Sequence, residues 1–167
     1  MRRAVAIGAA IGGGLALLAA GLRLDADGTE LVRLVILGVA LGAVVAFDLG
    51  EHRIPNRIVV PAAIVCAGLL AAQAIPPQQL VSSIAVVALM FGLSLVQPAS
   101  FGMGDVKLAL LLVLGLGGLA AQALILGLTL AALFGAVLLL RYGRSAAGLS
   151  LPLAPFLCGG AAVAVLL

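Results

Sequence analysis

Seven apolar stretches divide the chain, and short segments rich in charges, prolines or glycines separate most of them. They cover residues 4–22, 31–47, 58–75, 80–97, 106–119, 120–140 and 149–167. A helix needs about 20 apolar residues to cross the hydrocarbon core of a bilayer, and about 17 can suffice. All the stretches except the fifth reach that length. The pattern therefore predicts an all-α fold, a polytopic membrane bundle of about seven transmembrane helices.

The boundary between the fifth and sixth stretches carries no charge. A continuous helix over 106–140 would be about 52 Å long at 1.5 Å per residue, whereas the hydrocarbon core is about 30 Å thick. A break at residues 115–118, which read Gly-Leu-Gly-Gly, gives two crossings. It also places Lys107 and Arg141 on the same side of the membrane.

Basic residues are distributed unequally between the two sides that seven crossings create. One side carries Arg2, Arg3, Arg53, Arg57, Lys107, Arg141 and Arg144. The other side carries Arg23 and Arg33, together with the acidic residues Asp25, Asp27 and Glu30. Lys and Arg are enriched in cytoplasmic loops. We therefore expect a multi-pass cell membrane protein with its amino terminus and the loops 48–57, 98–107 and 141–148 in the cytoplasm, and its carboxy terminus outside.

Composition supports a membrane protein. Hydrophobic residues make up 65% of the 167 residues, charged residues make up 9%, and the mean hydropathy is +1.37. Soluble domains carry about 25% charged residues, so this chain cannot cover a water-facing surface. The net charge of +3 comes from thinly spread basic residues. We therefore expect lipid, and not nucleic acid, as a partner.

The chain is predicted to form a single membrane domain over 1–167. Residues 1–30 would supply an anchor span and an external loop, and residues 31–167 the functional core. The first stretch could instead be a cleaved signal peptide, because two arginines precede it. Its nineteen apolar residues exceed the usual signal core, which favours a retained anchor.

Two aspartates lie at the edges of apolar stretches: Asp48 directly follows 31–47, and Asp105 directly precedes 106–119. A carboxylate at the hydrocarbon edge is expensive, so it is usually paired, buried in the bundle or functional. Two adjacent carboxyls cannot both ionise, and such a pair can act as acid and base on one water. That water could attack a peptide carbonyl. This chemistry requires no metal and no cofactor, and we expect neither.

Two glycines precede the second aspartate. Gly102 and Gly104 lie three and one residues before Asp105. Glycine permits an unusual backbone bend, and it allows a substrate strand or a neighbouring helix to approach closely. Both glycines are therefore candidate supporting residues.

Four further residues near the aspartates are candidates for supporting or substrate-binding roles. Pro55 would preset the first turn of the next span, and Asn56 could accept hydrogen bonds from its free backbone donors. Arg53 and Lys107 could orient the carboxyls, or they could serve topology and lipid phosphate contact. The cysteines Cys66 and Cys158 lie alone in apolar stretches, which makes a zinc site or a disulfide improbable.

Three segments resemble those of the type IV prepilin leader peptidase family. Members of this family are membrane aspartic proteases of the GxGD kind. They are Asp48 followed by Arg-Ile-Pro-Asn at 53–56, Gly-Met-Gly-Asp-Val-Lys-Leu at 102–108, and Leu-Pro-Leu-Ala-Pro-Phe-Leu at 151–157. The resemblance covers about residues 31–167. It implies that Asp48 and Asp105 are catalytic. It also implies cleavage of a short basic leader from a prepilin-like precursor at the cytoplasmic membrane face.

The chain departs from the larger members that it resembles. Those members also carry a cytoplasmic domain with paired Cys-x-x-Cys motifs and methylate the new amino terminus. This sequence has no such motif, and it is similar to the small peptidases of tight-adherence (Flp) pili. We therefore expect peptidase activity without N-methyltransferase activity, and the choice of prepilin and the oligomeric state stay open.

Three other interpretations compete with this one. A proton-coupled transporter also uses paired membrane aspartates and glycine-interrupted helices, but its site would lie near the midplane, where this sequence places no charged residue. The presenilin and signal-peptide-peptidase group shares the GxGD loop, yet residues 151–156 do not reproduce its Pro-Ala-Leu motif. A purely structural membrane subunit would leave the paired aspartates unexplained.

Overall fold

A computed structural model describes residues 2–23, 26–51, 53–73, 76–96, 102–143 and 151–167, with side chains from residue 12 onward except that of Arg23. Asp25, Arg144 and the side chains of Arg2, Arg3 and Arg23 lie outside the described part. The helices are α1 (Arg2–Arg23), α2 (Gly28–Glu51), α3 (Asn56–Ala71), α4 (Pro77–Val96), α5 (Met103–Leu116), α6 (Ala120–Tyr142) and α7 (Ala154–Leu166). In these ranges all regular structure is helical, as the apolar pattern predicts.

Three helical segments among the described residues are long and apolar enough to cross a membrane. They are Gly28–Glu51, Pro77–Val96 and Met103–Tyr142, the last of which contains both α5 and α6. Shorter apolar helices cover Gly12–Leu22, Asn56–Ala71 and Ala154–Leu166. The protein is therefore a membrane protein, and the regular structure of its described residues is all helical. Seven separate crossings remain a prediction, because α3 and α7 have 16 and 13 residues and are shorter than an ordinary span.

The helix is interrupted at the break predicted between the fifth and sixth stretches. α5 ends at Leu116, and one 3-10 turn, Gly117–Leu119, leads into α6. Gly117 has a φ of 57°, a value that L side chains rarely adopt. The glycines at this point thus end α5 where the sequence predicts.

The two aspartate-bearing helices occupy the centre of the bundle. α2 packs against α1, α3, α5 and α7, and α5 packs against α2, α3, α4, α6 and α7. The side chains of these two helices form much of the fully buried core, with Leu37, Leu41, Leu108, Leu111 and Leu112 among its members. Asp48 and Asp105 are therefore carried by the most enclosed elements, which limits their movement.

Opposite ends of the bundle carry different polar clusters. Arg33, near the start of α2, donates to Gln73 beyond the end of α3, and Asp48, near the end of α2, meets the start of α7. α2 therefore runs antiparallel to α3, and the start of α7 lies at the same end of the bundle as the end of α2. We call the two ends the Asp48 end and the Arg33 end.

Glycines bring two helix pairs into close backbone contact. A Cβ added at Gly13 of α1 would overlap the carbonyl of Gly38 in α2, and one added at Gly160 of α7 would overlap the backbone of α6 at Gly127. Gly12, in contrast, has no neighbour within 4 Å of an added Cβ. Small residues allow this close approach in membranes, where lipid removes the hydrophobic drive for helix association.

Candidate active site

Asp48 lies in the last turn of α2, and its relative exposure is 6%. Its Oδ2 accepts a hydrogen bond from the backbone N–H of Ala154 at 3.0 Å. Ala154 is the first residue of α7 and is fully buried. A negative charge is favourable at a helix amino terminus, where the N–H groups lack partners within the helix. The carboxylate therefore joins the end of α2 to the start of α7.

The donors in the first turn of α7 are all accounted for. Ala154 donates to Asp48, and Pro155 has no N–H. The N–H groups of the next two residues both donate to the carbonyl of Leu153, each at 3.1 Å. Asp48 thus accepts the hydrogen bond that the local backbone leaves unmade.

Asp105 is the third residue of α5. Its Oδ2 accepts the N–H of Gly102 at 3.1 Å, and its own N–H donates to the Gly102 carbonyl at 3.0 Å. This reciprocal pair resembles a capping box, in which a side chain three residues into the helix serves the donor before it. The start of α5 therefore fixes the Asp105 carboxyl, which is partly buried.

The two carboxyl groups lie within electrostatic range of each other. The charge of Asp48 acts on the Asp105 carboxyl, and α2 packs directly against α5. Two like charges at one site disfavour simultaneous ionisation. The two aspartates that the sequence identifies as candidate catalytic residues therefore lie at the same end of the bundle.

The glycines before Asp105 serve one of the two purposes predicted for them. A Cβ on Gly104 would lie 3.1 Å from the Cβ of Ile54, so this glycine does permit close packing. The predicted unusual bend is wrong. Gly102 has φ −75° and ψ 151°, ordinary extended values for a residue that precedes a helix, and α5 is regular from Met103 onward.

The predicted roles of Pro55 and Asn56 need correction. Pro55 precedes α3 as its N-cap and is not its first helical residue, and its carbonyl accepts the N–H groups of residues 58 and 59. The sequence predicts that Asn56 caps α3, but its Oδ1 accepts a hydrogen bond from Lys107 Nζ at 3.1 Å. Asn56 therefore connects the start of α3 to the start of α5.

The basic candidates are near the aspartates along the chain. Lys107 makes the bond to Asn56 just described, and Arg53 is exposed in the connection between α2 and α3. Their predicted effect on the carboxyls stays a prediction. Among the described residues, no group of three His, Cys, Asp or Glu side chains is placed to hold a metal ion.

Sequence reasoning missed the contribution of Ala154. The donor is a backbone N–H, and its partner is 106 positions away in the chain. A weak signal did exist, since Pro155 is typical of the first turn of a helix and so indicates where free donors occur. Both segments belong to the resemblance described above, but the sequence alone does not show that this turn contacts Asp48.

The Arg33 end holds a second polar cluster around a cavity of about 540 Å³. Arg33 is 2% exposed, and its guanidinium donates to Gln73 Oε1 at 2.6 Å and lies 3.7 Å from Glu30 Oε1. The N–H of Glu30 donates to Asp27 Oδ1 at 2.7 Å. Asp27 and Glu30, which precede or begin α2, are therefore joined to a buried arginine.

One comparison with known proteins places the chain in a family. A scan against protein-family models matches the type IV leader peptidase family over residues 34–140, a range that includes both aspartates and stops before α7. Searches of curated proteins and of solved structures found no match. Since the family match covers more than half of the 167 residues, this membrane protein belongs to the type IV leader peptidase family.

Proposed function

We propose that the protein is a membrane aspartic endopeptidase that removes the short basic leader from type IV prepilin-like precursors. Asp48 and Asp105 are its proposed catalytic residues. The observation that carries the proposal is the placement of both carboxyls at one end of the bundle, where α2, α5 and α7 meet and the charge of Asp48 acts on the Asp105 carboxyl. Membership of a peptidase family supports the reaction class.

The proposed reaction uses the two carboxyls as acid and base. The ionised carboxylate takes a proton from a water as the water oxygen attacks the scissile carbonyl carbon. The protonated carboxyl donates to the carbonyl oxygen as the tetrahedral intermediate forms. When the intermediate collapses, the C–N bond breaks as the leaving nitrogen takes the proton that the first carboxyl removed from the water. A hydroxyl of the intermediate returns its proton to the second carboxylate as the new carboxylic acid forms. No cofactor is needed for this sequence of proton transfers.

The position of the aspartates suits a substrate that is itself anchored in the bilayer. A precursor with its basic leader in the cytoplasm and its apolar stem in lipid presents their junction at the membrane surface. We place the Asp48 end on the cytoplasmic side, because the basic residues Arg53, Arg57 and Lys107 lie there and such residues favour that side. N-methylation of the product is not part of the proposal.

The test is cleavage of candidate prepilins by the full-length enzyme in nanodiscs. Asp48→Asn and Asp105→Asn each keep the side-chain shape but remove the titrating carboxyl. General acid or base catalysis contributes about 10² to 10⁴ in rate, so we expect each variant to lose at least that much activity. Asp27→Asn is the matched control, because this exposed carboxylate lies at the Arg33 end.

Two outcomes would contradict the proposal in different ways. Normal cleavage by both site variants would show that the aspartates are not the catalytic pair. Failure of the wild-type enzyme to cut any prepilin offered would reject the substrate class.

A further inference from the structure

We infer that the backbone N–H of Ala154, at the start of α7, is a positioning group that sets the direction of the Asp48 carboxyl for catalysis. The inference deepens the proposed function and rests on it. It assigns a role to a segment that lies beyond the range matched by the family model.

The geometry of the bond carries the first step. Torsion about the last bond of an aspartate is broad and has weak preferences, so a carboxyl group needs an external contact to hold one direction. The 3.0 Å bond joins Asp48 Oδ2 to a donor in a buried setting. With one oxygen held towards α7, the direction of the other oxygen is also defined.

The donor is itself held firmly in place. Leu157 and Gly160 of α7 are buried, and Gly160 lies against the backbone of α6. The ring of Phe156 packs against that of Phe134, with 5.4 Å between the ring centroids. A backbone N–H on a helix packed in this way moves little. Groups placed before the reaction begins need less reorganisation during it.

The local sequence makes the donor selective. Over residues 154–157, Pro155 offers no N–H, and the two following N–H groups are taken by the Leu153 carbonyl. Ala154 therefore supplies the N–H that this turn directs to another helix. The proline therefore removes one alternative donor from this turn.

A purely structural role would predict a different result from the one we infer. If the bond only stabilised the start of α7, its loss would lower the unfolding temperature and the amount of active enzyme. If the bond positions Asp48, its loss lowers kcat of the folded enzyme while KM changes little. Comparing the change in kcat of the folded enzyme with the change in unfolding temperature therefore distinguishes a positioning role from a structural one.

The experiment replaces single backbone N–H groups in the full-length enzyme by ester oxygens. Lactic acid in place of Ala154 removes the donor and keeps the methyl side chain. The matched control is 2-hydroxyisovaleric acid in place of Val163, which lies further along the same helix and is 40% exposed. Both variants lose one N–H from α7, but only the first lies against Asp48.

We expect the ester at 154 to lower kcat by about 10- to 100-fold, because small misplacements of a reacting group have effects of this size. KM should stay within about twofold, and the ester at 163 should leave kcat within about twofold of wild type. Equal kcat values for the two esters would overturn the inference. A rise in KM with kcat unchanged would also overturn it, because α7 would then contribute to substrate binding.

A second variant at position 154 and two reference enzymes distinguish failure of the positioning role from failure of the proposed function. If the ester at 154 yields no folded enzyme, Ala154→Pro also removes the N–H, and proline is well tolerated at the first position of a helix. Wild type and Asp48→Asn are measured in the same assay. If wild type cleaves, Asp48→Asn does not, and the variant at 154 matches wild type, then only the positioning role fails. If wild type does not cleave, the proposed function fails first.

Discussion

At the scale of single residues, Asp48 has two tasks that make opposite demands. As a proposed catalytic carboxyl it must exchange a proton, and as the acceptor for Ala154 it must keep a fixed hydrogen bond. Asp105 is less constrained, since its partner Gly102 is exposed and belongs to the same helix start. The two carboxyls therefore differ in what their removal does to the fold.

This difference predicts how substitutions of Asp48 affect stability. Asp48→Asn retains an oxygen that can accept the Ala154 N–H, whereas Asp48→Ala leaves that buried donor without a partner. An unsatisfied buried donor costs about 1–3 kcal/mol. We expect the free energy of unfolding of Asp48→Ala to be lower than that of Asp48→Asn by about that amount, measured by denaturant titration in mixed micelles.

Asp105 provides the comparison for this measurement. Asp105→Ala relative to Asp105→Asn should show a smaller loss, because water can solvate the exposed Gly102 N–H. If the difference in free energy of unfolding between the Ala and Asn variants were equal at positions 48 and 105, the expected greater cost at Asp48 would be wrong.

At the scale of elements, the sequence anticipated those features that depend on nearby residues. The end of α5 near residues 115–118 follows from local glycines and from the limit on span length. The bond between Lys107 and Asn56 spans 51 positions, and it could not be read from either segment alone. The bounds of the apolar stretches also predicted the starts of helices poorly. The stretch 149–167 contains α7, but this helix begins at Ala154, one residue before Pro155.

Helix contacts at glycines predict a contrast between adjacent positions in α7. A methyl group on Gly160 would overlap the α6 backbone, whereas one on Gly159 would lie 3.7 Å from Leu130 Cδ1, an ordinary contact. Gly160→Ala should therefore lower the free energy of unfolding by about 1–3 kcal/mol, the usual effect of overpacking. Gly159→Ala should be neutral or raise it by up to about 1 kcal/mol, because alanine favours helix. Thermal unfolding of the two variants in the same detergent gives the comparison.

Gly160→Ala and Gly159→Ala also test whether the packing of α7 affects cleavage activity. Displacing α7 would also move Ala154, so Gly160→Ala should lose cleavage activity in the fraction that remains folded. If the two variants unfold at the same temperature, the close approach of α6 and α7 is not a determinant of stability.

At the scale of the whole molecule, one end of the bundle holds the polar cluster around Arg33, and the other end holds the two proposed catalytic carboxyls. At the Arg33 end, Arg33 and Gln73 join the start of α2 to the segment beyond α3. A buried arginine is tolerated only with such partners. At the Asp48 end, three helix termini converge on two carboxyls. The two clusters lie at opposite ends of α2, so the proposed catalytic carboxyls are separated from the buried arginine by the length of that helix.

That separation predicts the accessibility of single cysteines placed in a background with Cys66 and Cys158 replaced by alanine. Arg57, Gln122 and Leu167 are all exposed. If α5 and α6 are two crossings joined at Gly117, then Arg57→Cys should react with an impermeant maleimide only in inverted vesicles, and Gln122→Cys and Leu167→Cys only from outside the cell. If residues 103–142 instead formed one continuous crossing, Gln122 would lie within the bilayer and resist labelling from both sides. The label on Gln122 therefore decides between six and seven crossings, and it does so without relying on catalytic activity.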